Sequence, residues 1–276
     1  KETVRDCSLR YLYIGPLNKW DRFSEGVSKF YNSGELQKAL DRCKIIGVDL
    51  DDRIRHKWKA FATLEHTKIG AEIGLHGRFM ATATTKVQAV IKTLLDPAYG
   101  ADSKREALPV LPNKFACGDA KIVNIEVRRS METEPDIVFT MPDTGEGKKV
   151  PLIGEVKSCS TYNISDHHKD FTSQRSQSIR NLLGQIARDM RERGIRFGFI
   201  TTYKETLYLK ISKQPQNGEY ALYYSNIIKH TDAVAQGSKS GALTSISVRL
   251  AILYLLHRVS EKDTSTWSFK PEKIDT

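Results

Sequence analysis

The residues best equipped for chemistry in this 276-residue chain are two short acidic groups, Pro135-Asp136 and Glu155-Val156-Lys157. Side chains of a strand alternate between its faces, so Glu155 and Lys157 share one face while Val156 takes the other. Neighbouring strands lie ~4.8 Å apart, close enough for Asp136 to meet Glu155 if a hairpin joins them in the right register. Two carboxylates at that separation repel each other and form an oxygen-rich site for a hard divalent cation, which relieves the repulsion. Lys157 adds a point charge for a phosphate or an attacking water. The pattern of acid, any residue, Lys is worth little alone, since it recurs at Asp102-Ser103-Lys104, Asp119-Ala120-Lys121 and Glu146-Gly147-Lys148. Only Glu155-Val156-Lys157 ends an apolar run, Val150-Pro151-Leu152-Ile153-Gly154, that follows a strand opening on Pro-Asp. A strand end carrying an ordinary surface salt bridge is the competing reading.

Helices and strands must position these groups. Two short helical patterns occupy Trp20 to about Ile46, separated by Ser33-Gly34. From His56 to Met80, Trp58, Phe61, Ile69, Ile73 and Phe79 fall on one helical stripe that also carries Glu65 and Glu72. A carboxylate on an inward face needs a cation to meet it, unless Gly70, Gly74 and Gly77 break the helix. Thr85 to Leu95 predicts a further helix, ended by Asp96-Pro97, and Pro97 to Gly118 reads as a long loop. Val123 to Arg128, Ile137 to Phe139 and Val150 to Lys157 predict three strands, the last two joined by the turn Pro142 to Gly147. Ser158 to Ser173, including His167-His168, reads as a polar loop. Ile179, Leu182, Leu183, Ile186 and Met190 predict a long helix over Gln174 to Arg193, with Gly194 placed to end it. Strands follow at Arg196 to Thr202 and Thr206 to Ile211, turning at Tyr203-Lys204-Glu205, and another at Tyr220 to Tyr224. A last helix is expected over Ala242 to His257.

Composition sets the outer bounds. A hydrophobic fraction of 39% can fill a core, which disfavours disordered and fibrous architectures. The longest apolar run, Leu250 to Leu256, falls far short of the ~20 residues of a membrane span, so no membrane partner is expected. Cys7, Cys43, Cys117 and Cys159 form no Cys-x-x-Cys pair, which argues against a zinc ribbon and a disulfide scaffold. An intracellular setting follows as the expectation, nuclear if the source is eukaryotic. No Gly-rich loop with Lys-Ser/Thr supports an NTPase. The formal net charge of +10 suits a polyanionic partner or simply a lysine-rich surface. We read one domain: a helical extension over 1–55, a core over 56–211, and a C-terminal strand, helix and tail over 212–276.

The order helix, three strands, helix, strand, with Pro135-Asp136 and Glu155-Val156-Lys157 in place, resembles the PD-(D/E)XK nuclease superfamily. The stretch from Gly184-Gln185-Ile186 through Phe197-Gly198-Phe199-Ile200-Thr201-Thr202-Tyr203-Lys204-Glu205-Thr206 is similar to nuclease-like domains of fungal proteins. The resemblance implies an α/β, restriction-endonuclease-like core, a mixed central sheet flanked by helices with extra N- and C-terminal helices. It also implies metal-dependent phosphodiester hydrolysis. Asp136, Glu155 and the Val156 carbonyl would then hold Mg²⁺ or Mn²⁺, joined by Glu72 of the first core helix, with Glu65 as the second candidate. Lys157 would orient water or stabilise transition-state charge, and Gln185 would hold a phosphate or a water. Position 189 is Asp, a departure from the Gln-x-x-x-Tyr form frequent in that family.

Arg175, Arg180, Arg188 and Arg191 crowd the same helix, as a phosphate-tracking surface or as a solvated face. The expected partner is nucleic acid, DNA favoured over RNA, and a homodimer is compatible. A catalytically silent nucleic-acid-binding module of the same fold and a protein-interaction module are the alternatives.

Overall fold

Runs buried on both faces, such as Ile137-Val138-Phe139 and Phe197 to Thr201, mark the centre of a covered sheet. The computed structural model describes residues 12–45, 72–95, 116–119, 134–142, 148–159, 162–168, 177–237, 242–260 and 264–270. The chain begins with strand β1 (Leu17–Lys19), helices α1 (Phe23–Tyr31), α2 (Gly34–Ile45) and α3 (Glu72–Phe79), a π-helical turn (Met80–Thr84) and α4 (Thr85–Leu95). Then come β2 (Ala116–Gly118), β3 (Ile137–Pro142), β4 (Lys148–Val156), α5 (Ile164–His168) and α6 (Gln177–Glu192). The remainder is β5 (Phe197–Thr201), β6 (Glu205–Lys213), β7 (Tyr220–Tyr224), β8 (Ile228–Lys229), β9 (Ala235–Gln236), β10 (Leu243–Ser245) and α7 (Val248–Val259).

The architecture is mixed α/β. Eight strands form one open sheet in the order β1-β7-β6-β5-β4-β3-β2, with β8 paired to β6, while β9 and β10 make a separate ribbon. β3 and β4 are antiparallel, with Ile137 opposite Gly154 and Val138 opposite Ile153. β4 and β5 are parallel, which demands a crossover, and α6 supplies it. Its stripe of Ile179, Leu182, Leu183, Ile186 and Met190 covers Val138, Ile153, Ile200 and Leu207 on one face of the sheet. On the other face Phe139, Leu152, Val156, Phe199 and Tyr208 meet residues of α1, α2, α3, α4 and α7. α7 is buried almost all round, and its first turn is capped by the Ser247 hydroxyl, which accepts from the Leu250 N–H at 3.1 Å.

Two glycines have steric reasons. A Cβ at Gly154 would lie 2.3 Å from Phe199 Cζ, so only glycine lets that ring cross β4. Gly194, at φ 64°, closes α6: its N–H donates to Arg191 O and the Ile195 N–H donates to Met190 O, a Schellman motif.

Several expectations are corrected. Met80 to Thr84 is a π-helical turn that makes α3 and α4 one continuous rod. Its wide turn is tolerated because the Thr82, Thr84 and Thr85 hydroxyls donate to preceding carbonyls, and Arg249 Nε donates to Thr82 O at 2.9 Å. The end of the expected loop, Ala116 to Gly118, is strand β2 on β3. Within the expected polar loop, Ile164 to His168 is helix α5. Leu243 to Ser245 is strand, and the last helix starts only at Val248, where Ser247 caps it. β1, which no sequence period announces, pairs in parallel with β7. The strand expected over 123–128 and the helix expected over 56–71 lie outside the described residues. Among the described residues no helix is long and apolar enough to cross a membrane.

Candidate functional site

Asp136 immediately precedes β3, after the buried Pro135, and Glu155 is the penultimate residue of β4. Because Ile137 faces Gly154 in an antiparallel ladder, residues 136 and 155 meet on the next rung and emerge on the same side of the sheet. Asp136 Oδ2 accepts from the Val156 N–H at 2.8 Å, so this carboxylate finishes the hairpin at the point where the site begins. Val156 turns its side chain into the opposite core, as alternation requires. The Lys157 N–H donates to Thr201 O at 2.8 Å, carrying the β4–β5 pairing one residue further.

Glu155 and Lys157 are each 2% exposed. Lys157 Nζ donates to Glu155 Oε1 at 2.8 Å and to Gln185 Oε1 at 3.2 Å, which ties β4 to α6. Burial pushes the Glu155 carboxyl well above the usual carboxylate range. The charges of Asp136 and Asp189 push the same way, while Lys157 opposes them. Glu155 Oε2 is buried with no hydrogen-bond partner among the described residues. A buried oxygen left in that state costs about 1–3 kcal/mol, and functional sites are where such a cost is met. Asp189 is fully buried one helical turn beyond Gln185, with Oδ1 3.9 Å from Arg193 Nη2. Its charge acts on Glu155, which places it beside the cluster, although in the sequence position 189 stands only as a departure from the Gln-x-x-x-Tyr form.

The structure thus brings together Asp136, Glu155, Lys157 and Gln185. Glu72 opens α3, which packs against β4, but its side chain lies outside the described residues, as do Glu65 and Arg175. Among the described residues no group of three or more His, Cys, Asp or Glu is arranged to hold a metal, so Asp136 and Glu155 stand as a pair. That pair still fits a hard cation: both donors are carboxylate oxygens and one of them, Glu155 Oε2, is orphaned.

The arginines of α6 are differently placed. Arg180 Nη1 donates to Tyr13 O at 2.8 Å and Gly15 O at 3.0 Å, holding the segment before β1. Arg188 is 8% exposed and its Nε donates to Glu192 Oε1 at 2.7 Å, while Arg191 is half-buried. These guanidiniums are largely engaged with the protein itself. Compared with family models, with curated proteins and with solved structures, the chain matches none.

Proposed function

We propose that the protein is a divalent-metal-dependent nuclease with a restriction-endonuclease-like core. The observation that carries this reading is the assembly of Asp136, Glu155, Lys157 and Gln185 at one end of the central strands β3 and β4, with Glu155 Oε2 left without a partner among the described residues. The order of elements, three strands and a crossover helix leading to β5, supports the same reading.

Asp136 and Glu155 would hold Mg²⁺ or Mn²⁺, which when bound supplies Lewis acidity to a phosphate and lowers the pKa of a bound water. Glu155 must give up its proton before both oxygens can act as ligands, so loading improves as pH rises. Lys157, held between Glu155 and Gln185, is fixed in place to stabilise charge developing on a phosphoryl group, and Gln185 keeps the ammonium aimed. The Asp136 bond to Val156 locks the end of the hairpin, so the two acids keep their spacing.

Incubating the protein with plasmid and single-stranded DNA, with Mg²⁺ or Mn²⁺ and with EDTA, tests the reading. Metal-dependent products are expected, reduced about 10²-fold or more in Lys157→Ala. Undiminished cleavage by folded Lys157→Ala protein overturns the mechanism. Binding without products in every metal condition identifies a catalytically silent module instead.

A further inference from the structure

Past the end of β4 lies a cleft of about 250 Å³ between the β5–β6 turn, the β8 region and the segment that follows β4. Its walls include Tyr162, Thr202, Lys204, Glu205, Lys229 and His230. The cleft starts where the candidate site ends. Thr202 follows Thr201, whose carbonyl holds the Lys157 N–H, and Cys159, another wall residue, is two positions past Lys157. Two residues span at most about 7 Å of chain, so the wall of the cleft begins within that reach of the Lys157 backbone.

The lining is charged and built. Lys204 and Lys229 are exposed, and neither ammonium has an ion-pair partner among the described residues. Glu205, the acid in the wall, is engaged: the Ser165 N–H donates to Oε2 at 3.0 Å and the Ser165 hydroxyl donates to Oε1. The His230 N–H donates to Lys204 O at 2.9 Å, and its ring stacks on Tyr203 at 5.9 Å and 22°. Tyr203 sits at φ 68°, in the left-handed region that a bulky residue rarely enters, and its N–H donates to Thr201 Oγ1 at 3.1 Å. The turn that presents Thr202 and Lys204 is therefore held in a costly conformation by its surroundings.

We propose that this cleft is a nucleotide subsite for an unpaired strand, with its phosphate on Lys204 and Lys229 and its base against Tyr162 and His230. Two lysines in the wall suit a phosphate, and the Tyr162 and His230 rings in the same wall offer flat surfaces for a base beside it. A base inside a duplex is stacked between its neighbours and cannot enter a concave site, whereas an unpaired base can. The subsite makes single-stranded or locally melted nucleic acid the preferred substrate. It rests on the nuclease reading for its place beside the scissile bond.

The test is fluorescence anisotropy in EDTA, with a labelled single-stranded oligonucleotide and the matched duplex. Lys204→Ser/Lys229→Ser alters only side chains, since the backbone bonds at these positions, Lys204 O to His230 and Lys229 N–H to Asp232 Oδ2, are kept. The expected results are preference of the native protein for the single strand, and about tenfold or greater loss of that affinity in the double variant. The slope of log K against log salt should fall by about 0.7, the ~0.7 expected for one phosphate of a single strand. Tyr162→Ala should weaken the single strand about tenfold with its salt slope kept. Equal affinity for duplex and single strand, or a double variant with unchanged affinity and slope, overturns the subsite. Metal-dependent cleavage on the same oligonucleotides keeps the two readings apart. Single-strand preference lost in the double variant without any cleavage supports the cleft and removes the nuclease. Cleavage lost in Lys157→Ala, with binding unaltered by Lys204→Ser/Lys229→Ser, keeps the nuclease and removes the cleft.

Discussion

Glu155 shows what burial does to a single group. An unfolded glutamate titrates near its ordinary value of 4.5, while the folded one lies well above it. Between those two values the native state holds a proton that the unfolded state has released, so this group's contribution to stability falls as pH rises through the window. In EDTA, urea unfolding from pH 4.5 upward should show that decline, and Glu155→Gln should flatten it; an unchanged slope would speak against a buried proton at this site. Burial also pushes the Cys117 thiol up to about 12, with Sγ 3.8 Å from Met80 Sδ. Peptide mapping after native alkylation near pH 8 should find Cys117 unlabelled, with labelling only in denaturant, because the thiolate is the reactive species. At this scale Asp136, Glu155 and Lys157 are legible in the sequence, because alternation along a strand fixes which neighbours share a face. Asp189 is not, since among Arg188, Arg191 and Arg193 it reads as one more surface charge until α6 is docked on the sheet.

Elements are legible in proportion to how many residues state their period. α6 carries five stripe positions and a terminal glycine, and its end falls where Gly194 places it. β1, β2 and β10, with three residues each, are too short to show alternation and exist because a neighbouring strand offers backbone partners. The π-helical turn is likewise invisible, since its support comes partly from Arg249 of a distant helix. Gly154 connects this scale to the site, because the ring that forbids a side chain there crosses β4 one residue before Glu155. Gly154→Ala should cost about 1–3 kcal/mol of unfolding free energy by overpacking. A smaller side chain at the facing position, Phe199→Leu, should recover part of that loss in a double-mutant cycle followed by denaturant unfolding. Additive losses would mean that the ring yields freely.

For the whole molecule, the net charge of +10 is shared unevenly. Acids gather at Asp136, Glu155 and Asp189, while Arg180 and Arg188 are committed to internal bonds. Surface cations such as Lys204 and Lys229 remain to meet a polyanion. Ligand binding to the native state alone stabilises it by mass action, about 2.7 kcal/mol at a concentration 100 times Kd. Mg²⁺ or Mn²⁺ should therefore raise the thermal midpoint of the intact chain, more at pH 8 than at pH 6 because Glu155 must lose its proton first. Asp136→Asn should abolish the rise, and a midpoint indifferent to metal at both pH values would leave the carboxylate pair with no cation to hold.

The tie between the first described residues and the far edge of the sheet has a temporal side. The Leu222 N–H donates to the Tyr13 hydroxyl across 209 positions, and Leu17 to Lys19 pair with Leu222 to Tyr224. On a ribosome the chain emerges from its N-terminus, so β1 must wait, unpaired, until most of the chain has been made. Closing so long a loop is slow relative to forming local helices, and until it closes β7 presents an open edge to any passing strand. The carboxylate pair, Asp136 and Glu155, is synthesised well before that edge is sealed.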